Sequence, residues 1–158
     1  MDWTEGYRTE VAYTHGYYKE MNPAFMRFAL ILAGFQPVAV SEACELGYGQ
    51  GVSINIHAAT ENVAWTGTDF NPEQAAFAQE LARVSGARIH CHAEPFHDFC
   101  ERRDLPEFDF IALHGIWSWI SPENRAAIVR LVDSRLRIGG CLYISYNANP
   151  GWAAFRPA

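Results

Sequence analysis

Residues 44–51, Cys44-Glu45-Leu46-Gly47-Tyr48-Gly49-Gln50-Gly51, set three glycines at alternate positions directly behind a short apolar run and one carboxylate. Glycine weakens the interior of a strand or helix, so glycines clustered this way mark positive φ angles or a backbone that a ligand approaches closely. The residues ahead of them, "AVSEACEL" (39–46), read as a short strand, and Val52 to Ala59 reads as the helix that leaves the loop. Strand, glycine loop and helix together make a βα unit.

The same alternation runs on in both directions. Upstream, Asn22-Pro23 is a helix start, Asn as cap and Pro as first residue, and the apolar "AFMRFALILAG" carries that leading helix to Gly34. Downstream, "VAWTGTD" (63–69) is a second strand, and "NPEQAAFAQELARVSG" (71–86) repeats the Asn-Pro start and ends on the C-cap signal Gly86. "ARIHCH" is a third strand, "FHDFCER" a short helix and "FDFIALH" a fourth strand. Ser121 caps a helix over "SPENRAAIVRLVDSRL" with Ile128, Leu131, Val132 and Leu136 on its buried face, and Gly139-Gly140 turns the chain into a fifth strand, "CLYISYN". Strands alternating with helical patterns predict an α/β fold, a Rossmann-like parallel sheet with helices on both faces.

In such sheets ligands bind beyond the carboxyl ends of the strands. The candidate residues fall there in turn: Glu45 and the glycines after strand one, Asp69 ending strand two, Glu94 just past strand three, and His114-Gly115 ending strand four. A dinucleotide fold would show G-x-G-x-x-G, its helix N-terminus holding a pyrophosphate. Here the pattern is G-x-G-x-G with Val52 after it and an acid before it. An acid beside the loop suits a ligand carrying an ammonium and a sulfonium better than a pyrophosphate. That ligand is S-adenosylmethionine.

"ELGYGQG", "TGTDFNP" and the strand-four segment resemble, in order and over nearly the whole chain, the cofactor motifs of class I S-adenosylmethionine-dependent methyltransferases. "YTHGYYKEMNP", "LHGIWSWISPENR" and "YISYNANPGW" are similar to a bacterial subgroup in which this catalytic domain precedes a methyltransferase regulatory domain. The resemblance implies that the Gly47, Tyr48 and Gly49 backbone passes against the methionine part of the cofactor and that Glu45 helps fix its amino group. It further implies that Asp69, followed by Phe70, takes the ribose hydroxyls, and that Ala93 and Glu94 face the adenine amine. The adenine-side acid of the family is more usually Asp, so Glu94-Pro95 is a departure. By the same resemblance, residues 1–36 form an N-terminal arm and leading helix and 37–147 the cofactor-binding core, with the later strands of a seven-stranded sheet and the regulatory domain absent after the fifth strand.

Methyl transfer is an in-line displacement at an activated electrophile, so the protein chiefly binds, orients and desolvates. A protonated amine nucleophile must first lose a proton, for which His114 or a tyrosine hydroxyl such as Tyr13 is the candidate group. His114 reads equally as a packed strand-end histidine. Trp117, Trp119, Tyr13, Tyr17 and Tyr18 read as core or interface aromatics, or as ring faces for a sulfonium or methylated amine. Two functions follow: a methyltransferase acting on a protein side-chain amine or small molecule, or a non-catalytic module that binds S-adenosylmethionine or its demethylated product.

Composition bounds the rest. At 158 residues, 49% apolar and 14% aromatic, the chain suits one domain with a real core. A formal charge of −6 and no Lys/Arg run argue against duplex nucleic acid as a partner. "MDWTEGYRTE" lacks a basic-then-apolar leader and no apolar run reaches spanning length, which predicts a cytoplasmic protein with no membrane partner. Cys44, Cys91, Cys100 and Cys141 are then expected as reduced thiols. "HCHAEPFHDFC" crowds His and Cys without the spacing that aims metal ligands at one point, so no metal is expected there. An open edge at strand five predicts homo-oligomerisation through strand pairing.

Overall fold

The computed structural model describes residues 14–151 and 153. A single 3-10 turn, Lys19–Met21, leads into α1 (Pro23–Leu32), followed by β1 (Glu42–Leu46), α2 (Val52–Thr60), β2 (Ala64–Asp69) and α3 (Pro72–Ser85). Then come β3 (Ile89–Ala93), α4 (Phe96–Cys100), β4 (Phe108–Leu113), α5 (Pro122–Arg135) and β5 (Leu136–Ile144). The five strands form one parallel sheet in the order β3-β2-β1-β4-β5. The expected Rossmann-like architecture is the one observed.

Local chemistry explains where the helices begin. Asn22 and Asn71 each accept two backbone N–H groups at the starts of α1 and α3, each followed by proline at the first helical position. Ser121 caps α5 through the Asn124 amide, and Gly86 closes α3 in the left-handed region at φ 66°.

Helices cover both faces of the sheet, burying the central strands β1, β2 and β4 while the edge strands β3 and β5 stay partly exposed. On one face α1, α2 and α3 bury Met26, Ile54, Ala58, Ala75 and Ala78 against Trp65, Phe110 and Ala43. On the other, α4 and α5 bury Phe99, Ile128 and Leu131 against Leu46, Ile111 and Leu113. In α5, Ile128 and Leu131 are fully buried as expected, Val132 only partly, and Asn124 and Ala127 complete the inward face, whereas Leu136, expected on this helix, is the first residue of β5 and partly buried.

The fifth strand corrects the sequence reading. Gly139 and Gly140 lie within β5 rather than in a turn ahead of it, because α5 passes straight into the strand at Leu136. Leu136 pairs with Phe108 and Cys141 with Phe110, so residues 137–140 bulge out of the ladder. The bulge carries Arg137 back to Asp109, whose other oxygen accepts the Ser41 and Glu42 amides at 2.8 and 3.1 Å and the Ser41 hydroxyl. Burial acts to raise the Asp109 pKa, but these donors outweigh it and hold the carboxyl at about 2. This clasp ties β1, β4 and β5 together at the end of the sheet remote from the glycine loop.

All four cysteines are free thiols. No helix among the described residues is long and apolar enough to cross a membrane.

Candidate active site

β1 delivers Glu45 to the carboxyl edge of the sheet, where it is 3% exposed and its Oε2 has no hydrogen-bond partner among the described residues. Burial, reinforced by nearby Asp69, pushes its pKa from 4.5 to about 8. A buried carboxyl without a partner is costly, and such a group at the mouth of a cleft is suited to a cationic ligand. The cleft in front of it is lined by the glycine loop, the start of α2, the segment from Thr14 to Met21, and His114.

The loop answers the question its sequence poses. Gly47, Gly49 and Gly51 all have positive φ, at 75°, 56° and 69°. Gly51 is also the N-cap of α2, where a Cβ would lie 2.4 Å from the Ala78 Cβ on α3. Close packing of α2 on α3 therefore demands glycine there, while Gly47 and Gly49 turn backbone toward the cleft.

Asp69, at the end of β2, faces the loop. Its Oδ2 accepts the Gly49 amide at 2.9 Å and its Oδ1 accepts the Asn71 amide at 3.0 Å. Asn71 caps α3 as expected, yet Asp69 is not left idle by it: the carboxylate also pins the loop. Burial raises its pKa to about 6 despite the two amides. Each oxygen retains a second lone pair, enough to accept a pair of hydroxyls.

At the third strand, Ala93 stands in register with Asp69, and the Glu94 carbonyl accepts the Thr68 hydroxyl at 2.6 Å. The Glu94 carboxylate is held by Arg102 at 2.6 Å, and Arg102 also grips Asp104. Phe70, between Asp69 and the α3 cap, is half-buried at the same edge.

His114 follows β4 and lines the cleft. The Tyr18 ring stacks on it at 4.3 Å, and its Nδ1 meets the Tyr143 hydroxyl at 3.1 Å. Burial lowers its pKa from the ordinary 6.5 and so favours the neutral ring, opposed by the charge of Glu20. Beside it, the Ser145 hydroxyl accepts the Gly115 amide at 2.6 Å. Tyr13 lies outside the described residues. Of the other aromatics, Tyr17 packs on His57, Trp117 carries Arg125 over its ring, and Trp119 is exposed. Tyr143 near the end of β5 and Ser145 just past it carry no sequence signal for a site, since both fit the alternation of an ordinary strand.

Residues 43–140 match the family described as "Methyltransferase domain". The chain belongs to that family. This methyltransferase domain is 43% identical over 162 residues to an uncharacterized protein of Synechocystis sp., the match taking 99% of this chain and 32% of that protein. It is 30% identical over 154 residues to an uncharacterized protein of Rickettsia prowazekii, covering 93% of this chain and 27% of that one. The chain thus spans about a third of the length of these curated relatives. Among solved structures, PKMT2 from Rickettsia typhi in complex with AdoHcy superposes with a TM-score of 0.78 at 23% identity, over 89% of this chain and 28% of that one. A methyltransferase from Thiobacillus denitrificans in complex with S-adenosyl-L-homocysteine gives 0.57 at 18% identity, over 89% and 51%. These likenesses carry the fold.

Proposed function

We propose that the domain binds S-adenosylmethionine in the cleft between the glycine loop and His114 and transfers its methyl group to an acceptor that is a protein side-chain amine or a small molecule. The observation that carries this reading is the partnerless, buried Glu45 oxygen behind a positive-φ glycine loop whose Gly49 amide is held by Asp69. An ammonium would satisfy Glu45 and restore its ionised form, and a ribose diol fits the free lone pairs of Asp69. A pyrophosphate would meet two carboxyl groups instead, which disfavours a dinucleotide. The relatives solved with AdoHcy support the same ligand.

When bound, the cofactor supplies a methyl group already activated on a sulfonium. The chain's own part is positioning and proton handling. Glu45 would hold the ammonium and Asp69 the ribose hydroxyls, the glycine loop would let backbone approach the ligand, and Tyr18 and His114 line the same cleft. Neutral His114 is placed to hydrogen-bond the incoming acceptor and receive its proton. Glu94, its carboxylate engaged by Arg102, offers its adenine-side contact through the backbone of Ala93 and Glu94. The subgroup with a following regulatory domain remains part of the proposal, supported by the greater length of the relatives.

Incubating the domain with radiolabelled S-adenosylmethionine and cell extract tests the activity. Label appearing in protein side-chain amines or small molecules, lost in an Asp69→Ala variant, is the expected result. Cofactor binding without labelling, in this chain and in a longer form of the protein, would favour the non-catalytic binding module.

A further inference from the structure

The cleft has one wall that belongs to neither the sheet nor its helices. Residues 14–21 cross the N-terminal half of α2 and contribute Thr14, Gly16, Tyr18 and Met21 to the lining. This arm is held to α2 by two side chains one turn apart. Ser53 Oγ accepts the Tyr18 amide at 2.8 Å and donates to the Gly16 carbonyl at 3.2 Å. His57 is fully buried, with Nε2 3.3 Å from the Tyr18 carbonyl and Nδ1 3.3 Å from Asn22 Nδ2.

The partners fix the proton on His57. A carbonyl can only accept, so Nε2 carries the hydrogen. The Asn22 Oδ1 is already taken by the Ala24 and Phe25 amides at the start of α1, so its NH2 is the group facing Nδ1, and Nδ1 is an acceptor. Both nitrogens of a neutral imidazole are thereby used in one orientation. A second proton would set Nδ1–H against an N–H donor, and turning the Asn22 amide to accept it would uncap α1.

We infer that His57 is the positioning residue that holds the arm as the removable wall of the cleft, and that its protonation releases the wall and speeds ligand exchange. Among the described residues, the groups set against the ring are Tyr17, the Tyr18 carbonyl, Asn22 at the start of α1 and Trp65 from β2. None of them brings a charge that would favour imidazolium. Burial accordingly lowers the His57 pKa below 6.5, opposed only by the Tyr18 carbonyl. The sign is that of a base depressed on folding: the latch is complete above the unfolded value of 6.5 and is lost as pH falls through the lower folded value. Asn22 links the event to α1 and Tyr18 links it to His114.

The inference rests on the cleft being the cofactor site, so its first readout needs no cofactor. Hydrogen exchange of the 14–22 backbone is followed from pH 7.5 to 5 in the wild-type chain, His57→Phe and His57→Gln, corrected for intrinsic rates. His57→Phe keeps a ring against Trp65 but removes both nitrogens, and should exchange the arm about tenfold or more faster while the amides of β1 and β4 stay protected. The wild type should show an acid step in arm protection that His57→Gln lacks. Release of S-adenosylhomocysteine, measured by stopped flow, should accelerate in parallel with arm exchange. Unchanged arm protection in His57→Phe, or an acid step that persists in His57→Gln, overturns the assignment. Should His57→Phe fail to fold, the pH dependence of His57→Gln decides alone. Arm release without faster ligand release refutes the wall and leaves the latch.

Discussion

Glu45→Gln separates ligand binding from stability more sharply than any other substitution. In the unliganded chain the carboxyl is buried with its own Oε2 partnerless among the described residues, and its pKa is moved from 4.5 to about 8. A raised folded pKa means that folding favours the protonated form. Stability from this group is therefore full below pH 4.5 and falls as pH rises toward 8. Between pH 4.5 and 7 the linkage amounts to about 3 kcal/mol, at about 1.4 kcal/mol per pH unit. Glutamine keeps the shape and cannot ionise, so at pH 7 the apo variant should be more stable than the wild type by about 1–3 kcal/mol, after allowing for the amide's own unmet hydrogen bonds. The difference should shrink toward zero near pH 4.5. The same variant should bind S-adenosylhomocysteine at least ~10-fold more weakly, since the ammonium loses its counter-charge. Urea unfolding at several pH values, paired with calorimetric titration, measures both. A destabilised apo variant, or a stability difference that does not vary with pH, would refute the reasoning about the buried carboxyl.

Asp69→Ala should weaken cofactor binding by about 1.5–3 kcal/mol and, because the Gly49 amide loses its acceptor, also lower the melting temperature. Asp69→Asn should recover part of the stability and less of the affinity, as read by thermal melts beside calorimetry. Gly51→Ala combines a left-handed φ, worth about 1–2 kcal/mol, with a 2.4 Å approach to Ala78 that adds about 1–3 kcal/mol. Pairing it with Ala78→Gly should restore the steric part alone, and a loss below ~1 kcal/mol for Gly51→Ala in urea would contradict the packing argument. Asp109, depressed from 3.8 to about 2, contributes stability that is present above pH 3.8 and lost as pH falls through 2. Asp109→Asn should thus lose about 1–2 kcal/mol at pH 7 and flatten the acid limb of the stability profile, and an unaltered limb would rule the clasp out.

The parts of this fold that depend on neighbours in sequence were legible in advance. Asn-Pro at 22–23 and 71–72, Ser121-Pro122 and Gly86 are local signals, and each stands at a helix end. The order of acids along the chain placed Glu45, Asp69 and Glu94 at one edge because parallel strands bring their carboxyl ends together. What depended on long-range contact was hidden. The hydrogen bond from Gly49 to Asp69 spans 20 residues, and that from the Tyr18 amide of the arm to Ser53 joins positions 35 apart. Arg102 reaching Glu94, and Tyr143 reaching His114, arise from how α4 and β5 pack, which periodicity does not encode. Gly139-Gly140 misled because two glycines after a helix resemble a turn, whereas the return to Asp109 makes them a bulge.

The central claim is that the glycine loop, Glu45 and Asp69 form an S-adenosylmethionine site. Isothermal titration of the chain with S-adenosylhomocysteine and, separately, with NAD tests it most directly. Saturable binding of S-adenosylhomocysteine that Asp69→Ala weakens, with no heat from NAD, is the expected result; binding of NAD with none of S-adenosylhomocysteine would contradict the assignment.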